Sequence, residues 1–401
     1  MRPLRFKVTE TEIFDMYNVK LLNKIAKVGT DNLDPAVYNI GDAVENPDAI
    51  MVRSAVMHEM EFNPELLCIA RAGAGVNNIP IDRCAKEGIV VFNTPGANAN
   101  GVKELTICAL LLAARKITAG IDWAKTLADD PNAAKTVEKG KSAFAGTEIK
   151  GKTLGVIGLG AIGGMVANTA IDLGMTVYGC DPYLSVKAAW ALNSHVNMAA
   201  TFEDIYKTAD YITLHVPATP ATKNMICAET LARMKDGVKI VNLSRADLVN
   251  AADMKAALES GKVSAYVTDF PTPEIIGVDG IIAIPHLGAS TEESEDNCAV
   301  MAAKELDEYL RSGNIKNSVN FPNVEVPYTG LVRVCIFHDN IPEMIAKISG
   351  VFADLKINIE SLNDQAKGEN AYTIIDINGD LPTEVTEKLI AIDGVNRVRV
   401  I

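Results

Sequence analysis

The feature that most constrains this chain is the string Gly158-Leu159-Gly160-Ala161-Ile162-Gly163, which follows the apolar run Thr153–Ile157 without a break. Ile162, Val166, Ala170 and Leu173 continue at helical spacing until Gly174. Strand, tight turn and helix in that order gather backbone N–H groups and the helix's partial positive charge at one point, which suits a pyrophosphate. In such a turn Gly158 provides the sharp bend, Gly160 lets the backbone approach the ligand, and Gly163 allows helix and strand to pack closely. A second strand-like run, Thr176–Gly179, leads to Asp181, 18 residues beyond Gly163. That is near the roughly 20 residues expected for an acid that holds ribose hydroxyls. Its charge opposes a 2′-phosphate and no arginine follows it closely, so NAD is expected rather than NADP.

The rest of the chain alternates strand-like and helix-like stretches, the pattern of a parallel sheet with helices on both faces. Further strands are expected at Tyr211–His215, Val238–Leu243, Val263–Val267 and Ile281–Ile284. Ahead of them, Ala49–Val52, Leu66–Ala70 and Ile89–Phe92 each run into a polar or glycine-rich turn: Arg53-Ser54, Arg71-Ala72-Gly73 and Asn93-Thr94-Pro95-Gly96. Ligands of open α/β sheets lie outside the carboxyl ends of strands, so these turns are on the ligand side. One helix is expected from about Gly101 to Thr118. Another is expected over Glu292–Arg311, entered through a capping box in which Ser290 faces Glu293. Gly313–Thr329 reads as an extended linker. Beyond it the order is β-α-β-β-α-β, a ferredoxin-like pattern. The expected fold is therefore α/β, with two doubly wound parallel-sheet domains (Rossmann and flavodoxin-like) and a C-terminal ferredoxin-like module. The expected boundaries are 1–95 with 295–315 for a substrate-binding domain, 96–294 for an NAD-binding domain, 316–330 for the linker and 331–401 for the terminal module.

Composition narrows the partners. The formal net charge is -13, which repels phosphate backbones and anionic lipid, so neither nucleic acid nor membrane is expected. The longest apolar run, Ile107 to Ala114, is far short of the ~20 residues of a spanning helix. Met1 to Glu12 carries charges throughout and lacks the apolar core of a signal peptide. Seven scattered cysteines with no C-x-x-C pair argue against a disulfide framework and a metal site, and fit the cytoplasm. Of the five histidines, His58 and His195 lie in polar stretches and read as surface residues, whereas His215 and His286 end strands. A proton acceptor for an alcohol belongs at such a strand end.

With these blocks in order, the chain resembles the D-isomer-specific 2-hydroxyacid dehydrogenase family over nearly its whole length. The resemblance runs through Arg53-Ser54, Arg71 to Val76, Asn93 to Gly96, Glu104-Leu105-Thr106, the glycine motif, Asp181-Pro182-Tyr183, Leu214-His215-Val216-Pro217, Asn242-Leu243-Ser244-Arg245 and Pro285 to Thr291. It implies a catalytic set of Arg245, Glu274 and His286. Arg245 would present a planar fork to a substrate carboxylate and the C2 oxygen. His286 would take the hydroxyl proton, and Glu274 would hold the imidazole. It implies cofactor contacts from Ala161, Ile162, Val216, Pro217, Leu243, Ser244, Asp269, Gly288 and Ala289. Arg53, Ser54, Arg71, Ala74 and Asn98 would bind the substrate. The leading substrate is 3-phosphoglycerate, and a glyoxylate or hydroxypyruvate reductase is the alternative. A dinucleotide-sensing corepressor of the same fold is a third reading.

The tail resembles an ACT domain, a regulatory module that pairs with its own copies. This implies a homodimer or homotetramer and an L-serine effector held by His338, Asn340 and Asn358. Four departures stand out. Ala246-Asp247 replaces a usual Gly-Gly, the Glu274–His286 segment is short, Lys103 replaces a small residue, and Glu343 occupies a position that is normally glycine.

Overall fold

The computed structural model describes residues 16–401, so the N-terminal segment discussed above lies outside the described residues. The chain divides into two compact units. One comprises the residues up to Asn98 together with Glu295–Ile401, and the other is Ala99–Ser294.

In the first unit, β1 (Tyr17–Leu22), β2 (Tyr38–Gly41), β3 (Ala49–Val52), β4 (Cys68–Arg71) and β5 (Val90–Phe92) form a parallel sheet in the order β2-β1-β3-β4-β5. All four residues of β3 are buried, as expected for a strand covered on both faces.

In the second unit, β6 (Thr153–Ile157), β7 (Thr176–Cys180), β8 (Asn197–Met198), β9 (Tyr211–Leu214), β10 (Val238–Asn242), β11 (Val263–Thr268) and β12 (Ile281–Ala283) form a seven-stranded sheet, ordered β12-β11-β10-β9-β6-β7-β8. All its pairs are parallel. The order reverses between β6 and β9, and a crevice opens at that point in such sheets. The glycine turn stands at the end of β6.

The terminal module has β13 (Val332–Asp339), β14 (Ile359–Lys367), β15 (Asn370–Ile377) and β16 (Val395–Val400), antiparallel in the order β14-β15-β13-β16. Its strands alternate faces. Val334, Ile336 and Ile375 pack under the module's own helices with Ile348, Phe352 and Leu389. Cys335, Phe337, Tyr372 and Ile374 instead join the core of the first unit, with Phe92, Tyr309 and Phe321.

Arginines fasten that second face. Arg333 is fully buried and grips Asp376 through two hydrogen bonds of 2.7 and 2.9 Å, while donating to the carbonyls of Ser312 and Val326. Arg399 reaches the carbonyls of Tyr309 and Leu310, and Arg397 those of Pro64 and Leu66.

Three local expectations are corrected. The helix expected to Thr118 is Ala99–Ala114, and a separate helix covers Ile117–Lys125. The break falls at Lys116, whose ψ of 50° is not helical, and the Ala114 carbonyl accepts from the Thr147 N–H instead. The helix Glu292–Ser312 is capped by Thr291, whose hydroxyl accepts from the Ser294 N–H, and not by Ser290. Ser290 instead turns its hydroxyl back to the His286 carbonyl. The supposed linker is packed. Phe321 is fully buried, and the Asn320 side chain bonds both the Val91 N–H and the Ile89 carbonyl. An amide side chain thus serves backbone groups on β5 and the residue before it.

Candidate active site

The three motif glycines are required for different reasons. Gly158 has φ +90°, and a Cβ there would stand 2.4 Å from the His215 carbonyl oxygen. At Gly163 a Cβ would meet the Gly158 carbonyl oxygen at 1.9 Å. Gly160 has an ordinary φ of -66° and nothing within 4 Å of the Cβ position. Neither its conformation nor its protein neighbours require glycine, so close approach of a ligand is the remaining reason. Gly160 is also the N-cap of the helix Ala161–Asp172 and offers no side-chain cap. The N–H groups of the first turn, from Ala161 and Ile162 onward, are left to an anion.

Asp181 ends the neighbouring strand. Its carboxylate accepts from the Leu159 N–H and the Tyr183 N–H, both at 2.9 Å. One oxygen is thereby tied to the glycine turn, and each oxygen keeps a further lone pair for a hydroxyl. The residues present therefore fit a dinucleotide.

Val216 and Pro217 follow β9, and Val216 lies against Gly158. His215 sits beneath this turn with Nε2 2.9 Å from the Thr213 hydroxyl. Burial pushes its imidazole down to about 4, so it is neutral and not a proton acceptor at neutral pH.

The next strand ends bring the chemistry together. After β10, Asn242 donates to the Arg245 carbonyl and accepts from the Ser244 N–H, while the Ser244 hydroxyl bonds the Leu214 carbonyl. The turn Leu243–Arg245 is thereby pinned to β9, and the Arg245 side chain is exposed. Asp247 makes no ion pair with Arg245 and shows only its carbonyl to the Asn224 N–H.

After β11 comes Asp269, fully buried. One carboxylate oxygen accepts from the Gly288 N–H at 3.1 Å, and the other is buried with no partner. Burial raises its pKa, opposed by the Gly288 bond and by the charges of His286 and Arg245. An orphaned oxygen of this kind is costly unless a ligand donor reaches it. Gly288 and Ala289 complete that turn.

His286 is exposed, and its ring lies 4.7 Å from that of Phe270. Here Glu274 departs from expectation. It is exposed, and its carboxylate is held low by the Thr272 hydroxyl and its own N–H. It makes no hydrogen bond with His286. Buried Ile275 anchors this short segment and leaves Glu274 turned to solvent. The structure thus assembles Arg245, Asp269 and His286, with Glu274 apart from them. Phe270 is a supporting residue that the sequence did not point to, and Asn242, present in a resembling block, gains its role from pinning the Arg245 turn.

In the first unit, the turns after β3, β4 and β5 are tied to one another. Arg71 donates to the Arg53 carbonyl, Asn93 to the Ala74 carbonyl at 2.6 Å, and the Thr94 N–H to the Gly73 carbonyl. The Asn23 side chain accepts from the N–H groups of Ser54 and Ala55. The Arg71 guanidinium fills the space over Gly73, whose φ is +155°. Asn98 is half-buried. Arg53 is not open to an anion as it stands, because its guanidinium pairs with Glu295 at 2.5 Å. His58 and His195 are exposed.

The three tail residues are not brought together within one chain. His338 is buried, with one ring nitrogen 2.9 Å from the Asp339 carbonyl oxygen and the other near Asp364 and Thr373. Asn340 donates to the Gly368 carbonyl just beyond the end of β14, and Asn358 directly precedes its start. Nine residues of strand, roughly 30 Å, separate those ends. Glu343 adopts a left-handed φ of +67° at a helix N-cap, which explains why glycine suits the position.

Residues 107–288 match the family model described as the D-isomer specific 2-hydroxyacid dehydrogenase, NAD binding domain. D-3-phosphoglycerate dehydrogenase of Escherichia coli is 31% identical over 355 residues, covering 84% of this chain and 82% of that one. The chain belongs to the D-isomer specific 2-hydroxyacid dehydrogenase family. D-3-phosphoglycerate dehydrogenase 1 of Saccharomyces cerevisiae is 30% identical, over 84% of this chain and 74% of its own length. The Methanocaldococcus jannaschii enzyme of that name is 33% identical over 79% of this chain, which spans 59% of it. The Synechocystis relative is likewise spanned over only 56% of its length. Among solved structures of this family, an NAD+-bound 3-phosphoglycerate dehydrogenase of Entamoeba histolytica superposes with a TM-score of 0.60 at 26% identity. That match covers 76% of this chain and 99% of that one. D-mandelate dehydrogenase of Rhodotorula graminis shares the fold, with a TM-score of 0.66, 22% identity, and coverage of 78% of this chain and 99% of that one.

Proposed function

We propose that the chain is an NAD-dependent dehydrogenase that oxidises 3-phosphoglycerate to 3-phosphohydroxypyruvate, the first step of a phosphorylated route to L-serine. The observation that carries the reading is the gathering of Arg245, Asp269 and His286 at successive strand ends of the sheet that bears the dinucleotide turn. The relatives' shared name supports the substrate.

Arg245 holds the substrate carboxylate and the C2 oxygen through its planar fork. His286 accepts the proton of the hydroxyl group on C2, and Phe270 keeps the imidazole plane in place. NAD, when bound, would supply the acceptor for the hydride that leaves C2. The partnerless oxygen of Asp269 would accept from a cofactor N–H, and Asp181 would accept from the ribose hydroxyls. Val216, Pro217, Leu243, Ser244, Gly288 and Ala289 would line the cofactor. Arg53, Ser54, Arg71, Ala74 and Asn98 are the groups for the substrate's anionic ends.

One observation favours a second reading, a glyoxylate or hydroxypyruvate reductase. Glu295 already neutralises Arg53, which weakens the case for a phosphate there. Following NAD reduction or NADH oxidation with 3-phosphoglycerate, D-glycerate, hydroxypyruvate and glyoxylate decides between them. Turnover of the unphosphorylated acids alone would sink the main reading.

The terminal module is proposed as an ACT domain and the enzyme as a cytoplasmic homodimer or homotetramer. Among the described residues no helix is long and apolar enough to cross a membrane. Leu111, Ile117 and Ile121 stay 40–50% exposed on successive helices and are apolar enough to be covered by a second copy. Light scattering reads the stoichiometry. A serine site would have to be shared between copies, because His338 and Asn358 lie far apart in one. Calorimetry with L-serine tests it, and absence of both heat and inhibition would exclude it.

A further inference from the structure

A cavity of about 670 Å³ lies in the first unit, between the helix Glu292–Ser312 and the packed segment that follows it. Among its lining residues are Val300, Met301, Glu305, Glu308, Asn314 and Asn317. Glu305 is only 7% exposed. One of its carboxylate oxygens accepts from the Asn317 amide at 2.7 Å, and the other is buried with no partner. A buried carboxyl oxygen without a donor is costly, so what could supply one is the question.

Most of the cavity's own donors are committed elsewhere, and Asn297 stands eight residues before Glu305 on the same helix, about 12 Å along its axis. Asn314 donates to Glu308 at 2.7 Å, and Lys316 pairs with Glu325 at 3.2 Å. Lys304 also lines the cavity but is exposed, and it makes no hydrogen bond or ion pair with Glu305. Among the described residues no three acidic, histidine or cysteine side chains converge on a metal position, which disfavours a bare divalent cation. Val300 and Met301 offer apolar surface beside the carboxyl.

We propose that this cavity binds a small aliphatic primary ammonium ion, with its N–H groups on the partnerless oxygen of Glu305 and its hydrocarbon on Val300 and Met301.

The charge balance agrees. Burial raises the Glu305 carboxyl to about 8, against the Asn317 hydrogen bond and the Lys316 charge. An empty cavity therefore holds a mostly neutral Glu305 at pH 7, and a bound ammonium favours its ionisation. Binding releases a proton. The other charges around the cavity are Lys304, Glu308, Lys316 and Glu325. The same Asn317 that holds Glu305 accepts the Asn93 N–H through its carbonyl at 3.3 Å. An occupied cavity is thus two hydrogen bonds from a turn proposed to meet substrate.

The test is titration calorimetry of the whole protein, without substrate or NAD, in phosphate and in HEPES. The probes are n-butylamine, butyrate and 1-butanol. Butylamine alone should bind, with an apparent heat that differs between buffers by the release of a proton. Its affinity should rise roughly eightfold from pH 7 to 8.5, following the ionised fraction of a carboxyl with a pKa of about 8. Glu305→Gln should abolish that rise. The proposal is overturned if butyrate or butanol binds equally well, if butylamine does not bind, or if its affinity is flat with pH. The wild-type pH series and buffer comparison decide the matter even if the variant folds poorly. No outcome depends on the proposed dehydrogenase activity.

Discussion

Two alanine substitutions only three residues apart should fail in opposite ways. Gly160→Ala puts a methyl where no protein atom lies within 4 Å, at an ordinary φ of -66°. The fold loses only the preference of an N-cap for glycine over alanine, below about 1 kcal/mol. A pyrophosphate approaching that backbone meets the methyl directly. Overpacking of this kind costs about 1–3 kcal/mol, which is roughly a 5- to 150-fold weaker Kd for NADH. Gly163→Ala places its methyl 1.9 Å from the Gly158 carbonyl oxygen, so the turn must shift. The upper end of the overpacking range, about 3 kcal/mol, less about 1 returned by helix propensity, leaves a net loss near 2 kcal/mol. Urea unfolding of the apo proteins reads the stabilities, and NADH fluorescence titration reads the affinities. The assignment of Gly160 to ligand approach is refuted if Gly160→Ala binds NADH within about twofold of wild type, or if it unfolds as readily as Gly163→Ala.

Other consequences are measurable. His286→Gln should lower kcat by about 10²–10⁴ while leaving the NADH Kd unchanged, in steady-state assays paired with fluorescence titration. Glu343→Gly should raise stability by about 1 kcal/mol in urea melts, because it removes a left-handed non-glycine residue. Arg333→Met should cost about 3–5 kcal/mol, since Asp376 is left buried without its partner; an intact melting curve would contradict this. His215 is neutral in the fold, with a pKa near 4 against about 6.5 unfolded. Its contribution is full above about pH 6.5 and is lost as pH falls toward 4, because the unfolded chain takes up the proton first. His215→Gln should flatten that part of the acid-stability profile.

The glycine turn and Asp181 were legible because each residue type there answers a local requirement of backbone or charge. The strands of the second unit were equally legible, since buried parallel strands leave apolar runs between turns, except for β8, whose two residues are exposed and carry no such run. What escaped depended on distant partners or on choices between equivalent residues. Ser290 and Thr291 are both competent caps, and only the path of the chain selects Thr291. Glu274 and Asp269 are both acids near His286 in sequence, but burial of Ile275 turns one outward while the end of β11 buries the other. Strands β1 and β2 carry Asn18, Lys20 and Asn39 among their apolar residues, so no apolar run announced them. The Asn-rich stretch looked like a linker because its work, bonding backbone groups on and beside β5, is done by side chains whose targets lie over two hundred residues earlier.

The way Arg397 and Arg399 reach back to carbonyls near residues 64–66 and 309–310 bears on the order of events during synthesis. Strands β1 to β5 emerge from the ribosome first, yet the aromatic layer and the cations that complete their unit come from residues beyond 295. The continuous segment 99–294 has everything it needs much sooner. Nascent chains should therefore carry a finished nucleotide module flanked by an open, unsatisfied sheet, and it is that waiting sheet which chaperones would have to shield.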